Sequence, residues 1–187
     1  MEQLEATEIT DRVLVNASTG VRIRIVRSGA QTAGRLLELE ATYPPHSSEP
    51  PPHLHPRQDE EFVIVSGSMM ARLTGRVSQL KAGDVFSIPN GTPHSMWNAG
   101  AEPTTVIWRT TPALKTEQFF RDVYWLASEG RTNSRGTPDL LDLAWLVPQY
   151  WNEIRITRPP ELVQRLLFAI LAPVAYFRRR RPLVTGL

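Results

Sequence analysis

Two short blocks of this sequence hold three of its four histidines and limit the folds that the chain can adopt. The first block, residues 53–67, opens with a His-X-His pair and carries Glu60 five residues after His55. The second block, residues 83–98, carries His94 shortly after a Pro-Asn-Gly turn. Histidine and carboxylate side chains are the usual protein ligands of divalent first-row metals. A fold that brings the blocks together can therefore build one metal site.

An extended backbone would turn the ligands of the first block toward one side. His53 and His55 are two residues apart, so both side chains leave the same face of a strand. Glu60 opens an apolar run and shares a face with Phe62 and Ile64. A carboxylate on such a face is costly to bury unless it is paired or binds a metal.

The second block is predicted to be a turn followed by a strand. Gly91 and Pro93 shape the turn, after which His94, Met96 and Asn98 alternate to one side. Two short strands and a turn can thus bring three imidazoles and one carboxylate to a common point. Taken singly, each residue could be a structural histidine or a solvated acid, but the joint spacing favours a metal site. The fourth histidine, His46, is expected to be exposed or at the rim.

The two blocks resemble the two signature motifs of the cupin superfamily, whose members are small double-stranded β-helix barrels. The second block matches at every signature position from Gly83 to Asn98, and the first matches from residue 53 to Gly67. The family's leading glycine falls at Ser47, so the chain departs from the motif there. The resemblance implies a jelly-roll-like barrel over about residues 20–112, with metal ligands at His53, His55, Glu60 and His94.

The rest of the chain fits a mainly β protein with an α-helical addition. Short alternating runs mark further strands up to about residue 112, and from residue 113 apolar residues recur at helical spacing. Three helical stretches are predicted, over residues 116–130, 137–147 and 162–177. We expect a cupin barrel with a polar lead-in over residues 1–112, and an α-helical extension over residues 113–187 that packs on the outside of the barrel or on a dimer partner.

Composition sets further limits. Hydrophobic residues make up 41% and charged residues 21% of the 187, as in an ordinary globular protein. The absence of cysteine excludes disulfides, thiolate ligands and a cysteine nucleophile. Residues 1–5 lack the basic start and apolar run of a signal peptide, so a cytoplasmic location is expected.

The last predicted helix leaves two alternatives open. From Leu166 to Phe177 it holds only apolar residues, proline and tyrosine, and Arg178–Arg181 follow directly. Such a segment can lie on an anionic membrane surface, although it is too short to span a bilayer. We favour the other reading, in which the apolar segment is buried and the arginines are solvated or paired. Nucleic-acid binding is not expected, because the cluster lacks interleaved aromatics and a recognition motif.

The predicted site would keep room for chemistry. Three imidazoles and one carboxylate leave one or two coordination positions open, which is typical of catalytic metal sites. The ligand set suits iron, manganese, nickel, copper or zinc without choosing between them. Strand phase predicts an apolar pocket wall, which favours a small, partly apolar organic molecule; its residues are Phe62, Ile64, Phe86, Met96 and Trp108.

Two classes of function follow. The first is a metal-dependent enzyme, foremost a dioxygenase resembling the quercetinase-like cupins, with isomerase or hydrolase chemistry less favoured. The second is a non-catalytic metal and small-molecule binding or sensor module, with peripheral membrane attachment through the last helix as one form of it. The resemblance implies that both classes are common, and it favours a homodimer. The sequence names no catalytic residue beyond the four ligands.

Overall fold

The computed structural model describes residues 12–178, without the side chain of Arg178. The strands are β1 (Val13–Val15), β2 (Arg22–Arg27), β3 (Leu37–Tyr43), β4 (His53–Leu54), β5 (Asp59–Ser66), β6 (Ser68–Leu73), β7 (Arg76–Lys81), β8 (Val85–Ile88), β9 (His94–Trp97), β10 (Thr104–Thr111) and β11 (Arg155–Ile156). The α-helices are α1 (Thr116–Ser128), α2 (Leu140–Leu146) and α3 (Glu161–Arg178). The first eleven residues of the expected lead-in and Arg179–Arg181 lie outside the described residues.

The strands form two antiparallel sheets that share one core. The first sheet has the order β1-β2-β3-β10-β5-β8 and the second has the order β11-β4-β9-β6-β7. Neighbours that are distant in sequence, such as β3 beside β10, are the crossovers of a jelly-roll barrel. Apolar side chains from both sheets meet in a single buried cluster, among them Ile23, Leu39, Met69, Ala71, Met96 and Val106. The prediction of a mainly β double-stranded β-helix with added helices is confirmed.

Motif residues that are not ligands hold the loops of the barrel. Gly67 joins β5 to β6 at φ +77°, where an added Cβ would lie 2.6 Å from Oγ1 of Thr104, so only glycine fits. The buried amide of Asn98 accepts from the N–H of Gly100 and donates to carbonyl oxygens of the neighbouring loops. Ser47, at the position where the motif has glycine, accepts the main-chain N–H of Asn98 at 2.8 Å. Although Ser47 replaces the glycine of the motif, its side chain still ties the two loops together.

The helical segment does not lie wholly outside the barrel, which differs from the expected packing. Phe120, Val123 and Tyr124 of α1 pack against the barrel core. The chain then returns through β11, which pairs with β4 and places Ile156 opposite His53. The reason is that the barrel leaves an apolar mouth, and the apolar face of α1 covers it.

The remaining helices form a second layer. Ala144 of α2 and Val147 just after it pack against Phe168 and Ala175 of α3. The inner face of α3 is thus buried, whereas its outer face is exposed, so the expected burial of the whole apolar segment is wrong for that face. Within residues 12–178, none of the helices has the length and hydropathy that crossing a bilayer requires.

Candidate metal centre and cavity

The four residues predicted as ligands meet at one place. His53 on β4 lies opposite His94 on β9, and His55 follows β4 directly. The three imidazoles each offer a ligand atom within 4.8 Å of the others. Glu60 reaches the same point from β5 of the other sheet, with Oε2 3.3 Å from Nε2 of His55 and 3.0 Å from Nε2 of His94. His46 is exposed and belongs to a surface loop.

Main-chain contacts orient all three imidazoles in the same way. Each ring places its Nδ1 at a carbonyl oxygen, which holds the hydrogen on Nδ1 and turns Nε2 inward. The three pairs are His53 with Pro51 at 3.1 Å, His55 with Glu153 at 2.6 Å and His94 with Thr92 at 2.9 Å. This arrangement is typical of metal-binding histidines.

The inward-facing atoms fit a cation. Nε2 of His55 and Oε2 of Glu60 are buried and have no hydrogen-bond partner. Both atoms carry lone pairs when Nδ1 of His55 holds the hydrogen, so their mutual approach is unfavourable unless a cation lies between them. The donor set of three imidazoles and one carboxylate suits a divalent first-row metal. The histidine cluster can therefore hold a metal ion, and the structure leaves the choice of metal open.

Burial and mutual proximity set the charges of the cluster. Burial, together with the neighbouring imidazoles of His55 and His94, lowers the pKa of His53 to about 3. Burial alone would raise the pKa of Glu60, but the attraction of His55 and His94 outweighs it and holds the pKa below its usual value. At neutral pH His53 is therefore neutral and Glu60 is charged, which are the forms that bind metals.

A cavity of about 270 Å³ opens next to the imidazoles. One side, which we call the strand wall, comes from the barrel and consists of His53, His55, Phe62, His94, Met96 and Trp108. The opposite side, which we call the helix wall, comes from α1 and consists of Phe119, Phe120, Val123 and Tyr124. Nε1 of Trp108 donates to Oε1 of Glu60 at 2.9 Å, so a residue of the strand wall also holds a candidate ligand.

Aromatic rings dominate both walls. The rings of Phe62 and Trp108 stack with centroids 5.2 Å apart, and Phe120 meets Trp108 edge-on at 5.1 Å. Burial raises the pKa of Tyr43, with a further contribution from Glu60, and burial also raises the pKa of Tyr124. Both tyrosines line the cavity and keep their hydroxyl protons at neutral pH. The cavity thus offers flat apolar surfaces with a few polar atoms for orientation.

The predicted pocket wall and the observed wall differ at two positions. Phe62, Met96 and Trp108 line the cavity, whereas Ile64 and Phe86 do not. Ile64 shares a face with Phe62 but lies two residues further along β5, about 6.6 Å from it, inside the barrel core. Phe86 is the partner of Phe62 on β8 and packs against the same core. Strand phase identified the correct face without locating the end of the barrel at which the cavity opens.

The helix wall and Glu153 were not predicted from the sequence. The helix wall has a sequence signal, since its four residues recur at helical spacing, but that pattern is equally typical of a packing face. Glu153 is buried, lines the cavity and supplies the carbonyl oxygen that orients His55. A main-chain carbonyl has no residue signature, so this contact could not be found from the sequence.

The fold and the site define a double-stranded β-helix protein with a histidine cluster that can bind a metal. The family model for the cupin domain, Cupin_2, matches residues 39–109, which include all four candidate ligands. The resemblance to cupins noted from the sequence is confirmed over these residues.

Curated relatives match the same region. Germin-like protein 5-1 of Oryza sativa subsp. japonica is 35% identical over 65 residues, which is 30% of this chain and 27% of that protein. Germin-like protein subfamily 2 member 1 of Arabidopsis thaliana is 39% identical over 62 residues, which is 30% of this chain and 28% of that protein. The matched region therefore spans only a little over a quarter of these relatives.

Solved structures with a similar chain trace include KdgF from Halomonas sp., with a TM-score of 0.46 and 23% identity over 52% of this chain and 85% of that one. A predicted oxalate decarboxylase from Thermotoga maritima has a TM-score of 0.47 and 24% identity over 49% of this chain and 80% of that one.

Proposed function

We propose that this protein binds one first-row divalent metal and uses it to hold a small, partly apolar organic molecule in the cavity. The proposed ligands are His53, His55, Glu60 and His94. One observation carries the proposal: the buried Nε2 of His55, which forms no hydrogen bond, faces Oε2 of Glu60 at 3.3 Å beside an aromatic cavity of about 270 Å³. A buried charge lowers the stability of a purely structural barrel unless it is paired or binds a metal.

Different residues of the site orient the proposed ligands and line the cavity. The carbonyl oxygens that accept from Nδ1 fix the three rings, and Trp108 fixes Glu60. A bound metal would supply Lewis acidity and open positions at which a ligand atom or dioxygen could be held. Phe62 and Phe120 exclude water and offer flat surfaces to an aromatic ring.

We propose oxidative chemistry of the dioxygenase type, as in the quercetinase-like cupins, as the reaction. Isomerases and hydrolases commonly need a free protein base near the substrate. Among the described residues that line the cavity, Glu153 is the only acid, and its Oε1 accepts the N–H of Lys115 at 3.2 Å. Dioxygenation relies more on the metal and on substrate orientation, which this cavity supplies. A metal-dependent binding or sensor module is the second candidate, favoured by the same shortage of a free base.

Oxygen uptake separates the two candidates. Metal-free protein is loaded in turn with iron, manganese, nickel, copper and zinc, and uptake is followed with quercetin and simpler phenols. We expect metal-dependent uptake that His94→Ala abolishes and His46→Ala, at the exposed histidine, leaves unchanged. Saturable quercetin binding without uptake for any metal would favour the binding module. Failure to retain any metal would refute both candidates.

Three further expectations stay predictions. These are the cytoplasmic location, the homodimer and the division of the chain at residue 112. We propose that the two parts act as one unit, since α1 lines the cavity and β11 pairs with the strand that carries His53.

A further inference from the structure

The outer face of α3 is a continuous apolar surface. Residues 162, 166, 170 and 174 are spaced by four, so their side chains form one stripe along the helix. The stripe is strongly exposed, with Ile170 at 74% and, at the end of the helix, Phe177 at 85%. The exposed apolar residues are Leu162, Val163, Leu166, Ile170, Val174, Tyr176 and Phe177.

The opposite face of α3 is fixed, so the stripe cannot turn inward. Phe168 and Ala175 are buried against the layer formed by α2. The buried Gln164 donates to the carbonyl oxygens of Ile156 at 2.9 Å and Pro159 at 2.6 Å. These contacts fix the orientation of the helix about its axis, so the apolar stripe faces outward. Exposed apolar surfaces of this extent mark interaction sites.

The segment of the sequence that contains α3 is strongly positive. Residues 151–187 contain seven arginines and two glutamates, a balance of +5, whereas the rest of the chain has fourteen basic and seventeen acidic residues, a balance of −3. Glu161, one of those two glutamates, is paired with both Arg155 and Arg165 at 2.8 Å. Four arginines, Arg178–Arg181, follow the apolar segment directly in the sequence.

We propose that α3 with Arg178–Arg181 docks the protein onto a membrane surface that contains anionic lipid. An amphipathic helix with aromatic and aliphatic residues on one face and arginines beside it lies in the plane of the interface, with its apolar face among the acyl chains. Its 18 residues would extend about 27 Å along the surface. Anionic headgroups neutralise the four arginines, whereas a second copy of α3 would bring only more positive charge. The charge therefore favours lipid over self-association.

Vesicle flotation tests this proposal with the full-length protein. Vesicles of phosphatidylcholine with about 30% phosphatidylglycerol are compared with pure phosphatidylcholine at physiological salt. We expect binding to the anionic vesicles and at least about tenfold weaker binding to the neutral ones, since each arginine near the surface contributes roughly fivefold. Leu166→Glu with Ile170→Glu should abolish binding, and Arg178→Gln through Arg181→Gln should weaken it at least about tenfold.

The matched control places the same change on exposed apolar residues of the barrel. Val65→Glu with Val85→Glu alters side chains that are similarly exposed, at 53% and 59%, and should leave vesicle binding unchanged. Circular dichroism and metal content of each variant show that fold and site are intact. Equal flotation of wild type and the α3 variant would overturn the proposal, as would no flotation of wild type. A wild-type dimer that the α3 variant converts to monomer, without vesicle binding, would overturn it in favour of a second copy.

Discussion

The two walls of the cavity are made in different ways and do different things. The strand wall holds imidazoles at positions set by strand register, with His53 directly opposite His94. The helix wall holds aromatic and aliphatic side chains at positions set by packing of α1 on the barrel mouth. Register leaves little freedom, because a slip by one residue would turn every ligand away from the site. Packing tolerates changes of shape. We therefore expect the strand wall to decide whether a metal binds and the helix wall to decide which organic molecule fits.

The largest effect should come from removing an imidazole of the strand wall. His94→Ala leaves two histidines and Glu60, and we expect metal affinity to fall by more than about 100-fold, since outer contacts alone are worth 10–100-fold. Elemental analysis of purified protein and a competitive chelator titration measure the loss. His46→Ala is the matched control, because His46 is exposed. Equal metal in wild type and both variants would remove the basis of the site.

Loss of the hydrogen bond from Trp108 of the strand wall to Glu60 should lower metal affinity by a smaller factor. Trp108→Phe keeps an aromatic ring beside Phe62 and Phe120 but removes the N–H that donates to Glu60 at 2.9 Å. We expect metal affinity to fall about tenfold with the aromatic packing retained. The same chelator titration measures it, with Trp97→Phe on β9 as control. An unchanged affinity would mean that Glu60 keeps its orientation without Trp108.

A change in the helix wall should weaken the binding of the organic molecule without weakening the binding of the metal. Phe120→Ala removes a ring that packs on Trp108 and on the barrel core. We expect metal content to be unchanged, quercetin affinity to fall about tenfold and the free energy of unfolding to fall by about 2 kcal/mol. Quenching of tryptophan fluorescence and urea denaturation measure the last two. Loss of metal in this variant would contradict the independence of the walls.

The smallest effect should come from the edge where the helical segment meets the barrel. Oγ1 of Thr157 donates to the carbonyl oxygen of Pro52 at 3.1 Å, next to the pairing of β11 with β4. Thr157→Val keeps the shape but removes this exposed hydrogen bond, so we expect a loss of about 0.5 kcal/mol in urea denaturation. Thr105→Val, on the barrel strand β10, serves as the comparison. A loss of several kcal/mol would show that this edge controls the stability of the whole chain.

The sequence predicted the strand wall better than the helix wall, for a physical reason. Much of the geometry of the strand wall is local, since alternation along a strand decides which side chains share a face, and this placed His53 beside His55 and Glu60 beside Phe62. The resemblance to the two cupin motifs then implied that these residues meet at one site. The helix wall depends on where α1 packs, and an apolar helical stripe has the same pattern on the outside of a barrel as over its mouth. The position of Ile64 along β5 was missed for a related reason, because alternation gives the face but not the depth.

For the last helix, α3, the sequence pattern likewise does not show which face packs on the rest of the protein. From Leu166 to Phe177, α3 carries apolar residues on all of its faces, so the pattern does not indicate which face is buried. The structure decides it through Phe168 and Ala175, whose partners lie in another part of the sequence. Burial of one face of such a helix depends on tertiary packing rather than on propensity.

The pairing of β11 with β4 would make a bound metal a cross-link between distant parts of the chain. β4 carries His53, and the turn before β11 supplies the carbonyl oxygen that holds His55. A ligand that binds only the folded site raises the stability of every segment the site requires, by an amount that grows with free ligand concentration. The thermal midpoint of the protein should therefore rise with available metal, and chelation should open residues 153–157 to proteolysis before the barrel unfolds. In a cell short of metal, the segment that orients His55 would therefore be the first to open.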